Sequence, residues 1–517
     1  MPSAKRLPLA NLPSSGVDAI HRTIDESQSN DIVIALVGHA GAGATTIGDR
    51  LKKALEEKKY DVRSVKMSKL IAECAEKLSP EKFKNILQKT PIERTVQLQN
   101  AGNFLRSTKG QAFTAGLAIR EIRQLRRDIA KEKNKVVFVI DNLKNPTEVD
   151  ALRKVYGRAF YLVSVVCGPR QRHARLISKY KGAPPEAIRA LMDRDEAETE
   201  AAGQQVRKTI KSGDYFINNE PDLTNNTASQ LEDNIKRFSS ILLGDKIETP
   251  TRDERGLYAA WTASLRSSCL SRQVGAALLD PSGRLIATGV NDVPKFGGGL
   301  YEEGDQEDFR CFAFPDSTTK KAYCRNDSEK REIVKLLIQD LRSNEVLQTG
   351  VDEAKLAAIL RATRLGDLIE FSRAVHAEMD AIVGVARGGG ESTFDATLYC
   401  TTYPCHNCAR HIVAAGIREV VYVEPYTKSL AVELHSDVIE ETTRPAEGDS
   451  KKKVKFRLFS GVAPRRYAAL FERRGEAKDR EGNALSIPDA LHKDPIFTLS
   501  HIDFENVIAD KITQESG

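Results

Sequence analysis

The chain has 517 residues, which is too many for a single hydrophobic core, so its length predicts two or three domains. Hydrophobic residues make up 40% and charged residues 29% of the sequence, a composition typical of globular proteins that excludes a largely disordered chain. The net charge of +6 is small for this length and does not by itself indicate a nucleic-acid binder.

The N-terminus and the cysteines bear on the cellular compartment. Residues 1–28 carry charge but lack the apolar core of a signal peptide, so we expect a flexible tail there. No apolar stretch approaches the roughly 18 residues of a membrane span. The eight cysteines are spread thinly, which argues against a secreted disulfide framework. We therefore expect a cytoplasmic protein without a membrane partner.

Apolar runs alternate with amphipathic segments in the first half of the chain. This repetition predicts a doubly wound parallel α/β sheet over residues 29–246. The predicted elements are the strands Asp31–Val37, Lys135–Ile140, Phe160–Val166 and Tyr215–Ile217 and the helix Thr45–Lys58.

The stretch "LVGHAGAGATTIGDRL", which begins at residue 36, spans the end of the first strand and is typical of a phosphate-binding (P-loop) turn. Gly38, Gly41 and Gly43 leave room for backbone N–H groups to surround a phosphate. Thr45 offers the hydroxyl that binds Mg²⁺ in such loops. Ala44, however, occupies the position of the lysine that normally contacts the β- and γ-phosphates.

Other residues of the first half fit a kinase-like site. Asp141 follows the second strand, where an acidic residue supports the metal, and Arg170, Arg172 and Arg175 follow the third strand, where kinase-like folds place a basic lid. Phosphoryl transfer depends on positioned positive charge, so Ala44 is expected to impair catalysis more than binding. Three interpretations remain open: a regulatory site for a purine nucleotide with Mg²⁺, an ATPase or kinase whose missing lysine is replaced by an arginine, and a scaffold that binds no nucleotide.

A polar, turn-rich stretch at Gly244–Arg255 marks the boundary to a second domain, predicted over residues 252–517. This domain again alternates strands and helices, with a polar insert at about 295–345 and an extension at about 424–517. Its predicted strands are Val274–Leu279, Arg284–Gly289, Thr397–Thr401 and Glu419–Val423, the first two forming a hairpin.

Two short motifs in the second half predict a catalytic zinc site. His376-x-Glu378 is followed by Pro404-Cys405-x-x-Cys408, and cysteines three apart at a helix start lie on one face, where both reach one metal. Three protein ligands leave the fourth tetrahedral position open for water, whose pKa zinc lowers toward ~7. Glu378 lies two residues beyond His376, close enough to move a proton to and from that water.

Alternative uses of the metal-ligating residues stay open. A closed structural zinc site would take His406 or His411 as a fourth ligand, but it leaves Glu378 and the proline before Cys405 without a role. Cys311 and Cys324 in the insert are candidates for a second, structural zinc, although no C-x-x-C pair supports one.

With these motifs, the second half resembles the deoxycytidylate (dCMP-type) deaminase family, a three-layer α/β/α fold with the H-x-E…P-C-x-x-C signature of zinc-dependent nucleobase deaminases. The segment Ser267–Pro294 is similar to the first hairpin of that family, including Arg272 and Asn291. The resemblance implies that Asn291 binds the deoxyribose side of the substrate. Arg272 and Lys428 are candidates for phosphate contacts.

The combination with a P-loop kinase-like half resembles the bacterial anti-phage dCTP deaminases. This resemblance implies hydrolytic deamination of dCTP or dCMP, with His376, Cys405 and Cys408 as zinc ligands and Glu378 as the acid/base. It also implies a role in antiviral defence, a homo-oligomer, and regulation by a nucleotide or a small RNA. Two other functions stay open: deamination of cytidine in DNA or RNA, and a regulatory module that senses a nucleotide or RNA.

Overall fold

The computed structural model describes residues 28–29, 31–129, 135–196, 198, 200–220, 227–315, 320–424, 429–442, 453–473, 478, 480–483 and 496–516. The predicted flexible tail lies outside the described residues except for Gln28, and Lys428 lies outside them as well. The chain folds into two compact units, residues 1–249 together with 460–517, and residues 250–459. Among the described residues, no helix is both long enough and apolar enough to cross a membrane.

The strands are β1 (Gln28–Ser29), β2 (Ile32–Gly38), β3 (Asp61–Lys66), β4 (Val136–Leu143), β5 (Phe160–Val166), β6 (Tyr215–Asn218), β7 (Gly275–Leu279), β8 (Leu285–Val290), β9 (Thr397–Thr402), β10 (Glu419–Glu424), β11 (Ile439–Thr442), β12 (Val454–Leu458), β13 (Gly461–Val462) and β14 (Ile496–Phe497).

The helices are α1 (Ala44–Glu57), α2 (Met67–Leu78), α3 (Pro80–Phe83), α4 (Pro91–Lys109), α5 (Phe113–Arg127), α6 (Pro146–Tyr156), α7 (Pro169–Lys179), α8 (Pro185–Glu196), α9 (Val206–Lys211), α10 (Thr227–Leu243), α11 (Arg252–Ser264), α12 (Arg325–Ser343), α13 (Glu353–Ala362), α14 (Ala377–Gly388), α15 (His406–Ala414), α16 (Ala431–Leu434), α17 (Tyr467–Phe471) and α18 (Thr498–Ser516).

A six-stranded sheet in the order β13-β6-β5-β2-β4-β3 forms the centre of the first unit. Its strands are parallel except β13, which pairs antiparallel with β6. All seven residues of β2 are buried, as expected for a central parallel strand with helices on both faces. On one face, Ile34 and Leu36 of β2 pack with Leu51 of α1 and Phe238 of α10 in one hydrophobic cluster. The predicted doubly wound α/β class is confirmed.

The structure corrects the sequence-based division of the chain at its C-terminus. Residues 460–517 belong to the first unit, not to the second domain in which the extension was placed. The physical reason is a strand pairing: Gly461 and Val462 of β13 pair with Phe216 and Tyr215 of β6, and they extend the first unit's sheet at its edge.

The strand β3 was missed by the sequence analysis, and β4 continues beyond its predicted end at Ile140. The pairing of β2 with β4 is irregular between Ala35 and Val37, and Asn142 of β4 adopts a positive φ of 73°. Irregularities of this kind re-aim neighbouring side chains. Here Asp141 comes to lie within hydrogen-bond distance of Thr45 on α1.

The second unit contains a six-stranded sheet in the order β11-β12-β10-β9-β7-β8. The strands β11, β12, β10 and β9 are parallel, whereas β7 and β8 form the predicted antiparallel hairpin. On one face, Leu278 and Leu398 pack with Ala381 of α14 and Ile412 of α15. On the opposite face, Tyr399 contacts α11, where its hydroxyl bonds to Asp253 at 2.9 Å. The unit therefore has three layers, as predicted.

Candidate active site

The start of helix α14 positions His376 and Glu378. His376 is the N-cap residue with extended backbone (φ −75°, ψ 149°), and Glu378 lies in the first turn. The helix approaches strand β8 closely at Gly289, where an added Cβ would lie 2.0 Å from the carbonyl oxygen of Ala377. Only glycine permits this approach, so Gly289 fixes the position of the two candidate residues.

The start of helix α15 positions the two cysteines. Cys405 is the N-cap residue, and its sulfur accepts a hydrogen bond from the backbone N–H of Cys408 at 3.4 Å. Both side chains are buried, at 7% and 1% exposure. Because the free N–H groups of a helix start favour negative charge, this position suits thiolates.

The two helix starts bring the predicted ligand atoms together. The Nδ1 atom of His376 lies 3.3 Å from the sulfur of Cys405 and 3.3 Å from that of Cys408. Among the described residues, these three form the one set of at least three His, Cys, Asp or Glu side chains whose ligand atoms all lie within 4.8 Å of one another. Two sulfurs and an imidazole nitrogen are ligands that zinc prefers, so the residues fit this metal.

Cys405 and His376 affect each other's pKa. Hydrogen bonding from Cys408 and then the contact with His376 lower the pKa of Cys405 to about 4, against the effect of burial. The bond to Cys405 raises the pKa of His376 to about 9. A metal binds the thiolate form of cysteine and the neutral form of histidine, so metal binding releases protons from these residues.

Glu378 lies beside this cluster in a dry environment. Its side chain is 4% exposed, and burial raises its pKa, although the nearby charge of His376 lowers it in part. A carboxyl group whose pKa is raised by burial accepts and returns a proton near neutral pH more readily than an exposed one. The burial of Glu378 therefore shifts its pKa in the direction that suits a general acid/base.

A cavity of about 240 Å³ opens onto these residues and is lined by His376, Glu378 and Cys405. The predicted substrate residues Asn291 and Arg272 line it as well. The amide of Asn291 is held by the backbone: it accepts from Val274 N–H at 2.7 Å and donates to the Arg272 carbonyl at 2.9 Å. Arg272 itself is 3.3 Å from a carboxylate oxygen of Glu424.

The contribution of the insert to this cavity was not predicted from the sequence. Helix α12 supplies Asn326 and Lys330 to the wall. The amide nitrogen of Asn326 donates to the Leu368 carbonyl at 3.0 Å, while its buried Oδ1 has no hydrogen-bond partner among the described residues. No sequence motif marks these residues, because they are distant in sequence from the zinc motifs and reach the cavity only in the folded chain. Cys311 and Cys324 belong to no described ligand cluster.

The glycine-rich loop of the first unit lines a second cavity, of about 760 Å³. Helix α1 begins at Ala44 after Gly43, whose φ of 87° lies in the left-handed region, as does that of Gly41 at 82°. Gly41 also passes so close to Arg172 that an added Cβ would lie 2.6 Å from its carbonyl oxygen. Two of the three predicted glycines, Gly41 and Gly43, are therefore required by backbone geometry.

The predicted magnesium-binding pair comes together in the structure. The hydroxyl of Thr45 lies 3.3 Å from both carboxylate oxygens of Asp141. Gly38 forms the end of β2, and its N–H donates to Asn142 at 3.3 Å. Of the three predicted lid arginines, Arg175 lines the cavity and donates to the carbonyl of Ala42 in the loop at 3.2 Å.

The other two predicted lid arginines do not line the cavity, and a buried aspartate bonds to the loop. Arg170 does not line the cavity, and Arg172 is buried beside the loop without lining it. Asp195 of α8, which the sequence analysis missed, accepts hydrogen bonds from the backbone N–H of Ala40 and the ammonium of Lys144, both at 2.7 Å. Burial raises the pKa of Asp195, but Lys144 and His39 outweigh burial and lower it below its usual range.

Comparison with known proteins agrees with the second unit's site. Residues 250–424 match the family model for the cytidine and deoxycytidylate deaminase zinc-binding region. The deoxycytidylate deaminase of Enterobacteria phage T4 is 31% identical over 175 residues, 34% of this chain and 78% of that protein. The deoxycytidylate deaminase of Saccharomyces cerevisiae is 23% identical over 303 residues, 57% of this chain and 75% of that protein. The chain therefore belongs to the deoxycytidylate deaminase family.

A similar solved structure is the shikimate kinase of Acinetobacter baumannii in complex with shikimate, at 13% identity and a TM-score of 0.23. The match covers 42% of this chain and 96% of the kinase. A likeness at this level carries no information on the activity of the first unit.

Proposed function

We propose that the protein deaminates deoxycytidine nucleotides, dCMP or dCTP, to deoxyuridine nucleotides and ammonia. The observation that carries this proposal is the buried carboxyl group of Glu378 beside the His376, Cys405 and Cys408 cluster, at the wall of a nucleoside-sized cavity. The names of the T4 and yeast relatives support a deoxycytidine nucleotide as the substrate class.

In this proposal His376, Cys405 and Cys408 hold a zinc ion, which when bound lowers the pKa of the attacking water. Glu378 accepts a proton from that water and delivers it to N3 of the cytosine ring. It then takes the second proton from the hydroxyl group newly bonded to C4 and transfers it to the amino group, and the C4–N bond breaks to leave a C4 carbonyl and ammonia. The burial of Glu378 suits this cycle, because the carboxylate and the carboxylic acid are both needed in each turnover.

Asn291 and Arg272 are the residues we propose to contact the sugar and phosphate of the substrate. Asn291 is held rigidly by two backbone hydrogen bonds, which suits a residue that positions a ligand. Arg272 is exposed enough to exchange Glu424 for a phosphate.

For the first unit we propose a regulatory nucleotide site at Gly38, Gly41 and Gly43, with Thr45 and Asp141 as contacts of Mg²⁺. We also propose a role in antiviral defence, in which ligand binding at this site controls depletion of deoxycytidine nucleotides. We also expect a cytoplasmic homo-oligomer, which sedimentation of the purified chain would test.

The purified, zinc-loaded protein should be incubated separately with dCMP, dCTP, cytidine and a cytosine-containing single-stranded DNA. We expect ammonia and a deoxyuridine product from a deoxynucleotide, and none from cytidine. Conversion in the DNA alone would instead indicate a polynucleotide deaminase. Failure to deaminate any of these compounds, with zinc bound, would refute the proposal.

A further inference from the structure

The cavity of the first unit carries more positive than negative side chains. Among the described residues, its lining contains six lysine and arginine side chains but only three carboxylates, those of Asp141, Glu148 and Asp195. The cationic residues of the lining are Lys66, Arg94, Arg106, Lys144, Arg175 and Lys179. Such an excess favours an anionic ligand with several charges.

Two of these six cations are held by bonds within the protein. Arg106 is buried and bonded to Glu148 at 3.0 Å. The ammonium of Lys144 lies 2.7 Å from a carboxylate oxygen of the buried Asp195 and 3.1 Å from the Gly38 carbonyl oxygen, so it stabilises the start of the loop. These two side chains build the cavity and are poorly placed to exchange partners with a ligand.

Lys66 differs from them in position and exposure. It ends strand β3 directly beside Asp141, with which it is in register in the parallel pair. Its ammonium lies 3.0 Å from the carboxylate of Asp141, and the side chain is 45% exposed. The carboxyl ends of parallel strands are where open α/β sheets bind ligands. An exposed ion pair is weak, so Lys66 can turn toward a phosphate at little cost.

A second observation in the lining of the same cavity points to a ligand. Gln99 of α4 lines the cavity and is 7% exposed, yet its side-chain carbonyl oxygen, Oε1, has no hydrogen-bond partner among the described residues. A buried carbonyl without a partner is costly unless a ligand supplies a donor. Apolar side chains, including Leu98 and Ile71, lie in the same lining.

We propose that the cavity binds a nucleoside triphosphate whose phosphate charge is met by Lys66, in place of the lysine missing at position 44. The loop supplies N–H groups to the phosphates, Lys66 supplies the mobile charge, and Gln99 with the apolar wall receives the nucleoside. This inference rests on the nucleotide site proposed above and names its ligand class and its key cation. The apolar wall and Gln99 favour a nucleoside triphosphate over inorganic triphosphate, which would leave both without a contact.

The test is calorimetric titration of the full chain with ATP, GTP, dCTP and inorganic tripolyphosphate, each with Mg²⁺. We expect Lys66→Ala to lower the affinity for the nucleotide by about tenfold or more, because a charge-assisted contact is lost. Adding Ala44→Lys to that variant should restore affinity, because the new lysine occupies the usual position of the missing charge. The matched control is Lys69→Ala, an exposed lysine on α2 that pairs with Glu73 outside the cavity.

The outcomes separate this inference from the proposals on which it depends. If the wild type binds no nucleotide at about 1 mM, a typical upper limit for physiological ligands, both the nucleotide site and this inference are wrong. If Lys66→Ala binds like the wild type, or Lys69→Ala loses as much affinity, only the role of Lys66 is wrong. Tighter binding of tripolyphosphate than of any nucleotide would overturn the ligand class. None of these results depends on deamination.

Discussion

The two sites of this chain are built in different ways. In the second unit, four residues in two short motifs lie at the starts of two helices, and the ligand atoms of three of them, His376, Cys405 and Cys408, converge within 4.8 Å. In the first unit, the loop backbone is complete, but the charges around it come from strand ends and helices far apart in sequence. The first design concentrates reactive groups for chemistry. The second surrounds a large cavity with supporting charge, which suits binding.

The largest expected effect tests the chemical side of this contrast. Glu378→Gln keeps the size of the side chain but removes its ability to exchange protons. We expect deamination to fall by about a thousandfold, within the range for loss of a general acid/base. Ammonia release measures the effect, and elemental analysis should find zinc unchanged. Near-normal turnover in this variant would show that another group moves the proton.

The metal ligands give the next test. Cys408→Ala removes one of three ligands, so we expect the zinc content of the purified chain to fall well below that of the wild type, together with the activity. Cys311→Ala is the matched control, since Cys311 belongs to no described ligand cluster. If Cys311→Ala also lost zinc, the insert would contain a second metal site.

A smaller effect should come from the backbone that positions the site. Gly289→Ala places a methyl group against the Ala377 carbonyl, and we expect the free energy of unfolding to fall by about 1–3 kcal/mol. Deamination should fall too, because the start of α14 must move. Gly384→Ala, in the same helix with open space around it, should instead stabilise the protein by about 0.5–1 kcal/mol. Equal effects of the two changes in urea unfolding would contradict this account of Gly289.

The smallest effect concerns the loop of the first unit. Asp195→Asn removes the carboxylate that binds Lys144 and the Ala40 N–H, and we expect it to lower the free energy of unfolding by about 1.5 kcal/mol at pH 7. The exposed Asp193 on the same helix provides the control, Asp193→Asn, for which no measurable change is expected.

The pH dependence of that difference has a definite sign. The pKa of Asp195 is depressed in the folded chain, so its contribution is fully present above the ordinary aspartate pKa of about 3.9 and is lost as the pH falls below it. Urea unfolding at several pH values should therefore show the wild type and Asp195→Asn converging in acid. A difference that grows toward low pH would contradict the assignment.

The contrast between the sites also explains what could be predicted from the sequence. His376, Glu378, Cys405 and Cys408 were predicted because metal ligands need fixed spacings at helix starts, and spacing is visible in a sequence. The strand Phe160–Val166 was predicted with its observed bounds, since a buried parallel strand is a continuous apolar run.

The remainder depended on contacts between distant segments. Strand β3 was missed because its sequence, DVRSVK, has only two apolar residues, three positions apart, and so forms neither a continuous apolar run nor a strict alternation; Lys66 was missed with it. The C-terminal residues were assigned to the wrong unit, because the pairing of β13 with β6 leaves no local signal. Asn326 and Gln99 reach their cavities only through helix packing.

The most direct test of the account is a single incubation in which both sites are supplied with ligand. The zinc-loaded chain should receive a deoxycytidine nucleotide together with ATP, and released ammonia and inorganic phosphate should be measured in the same samples. We expect steady release of ammonia with little or no phosphate, since the second unit reacts and the first unit binds. Rapid phosphate release, or phosphate without ammonia, would contradict it.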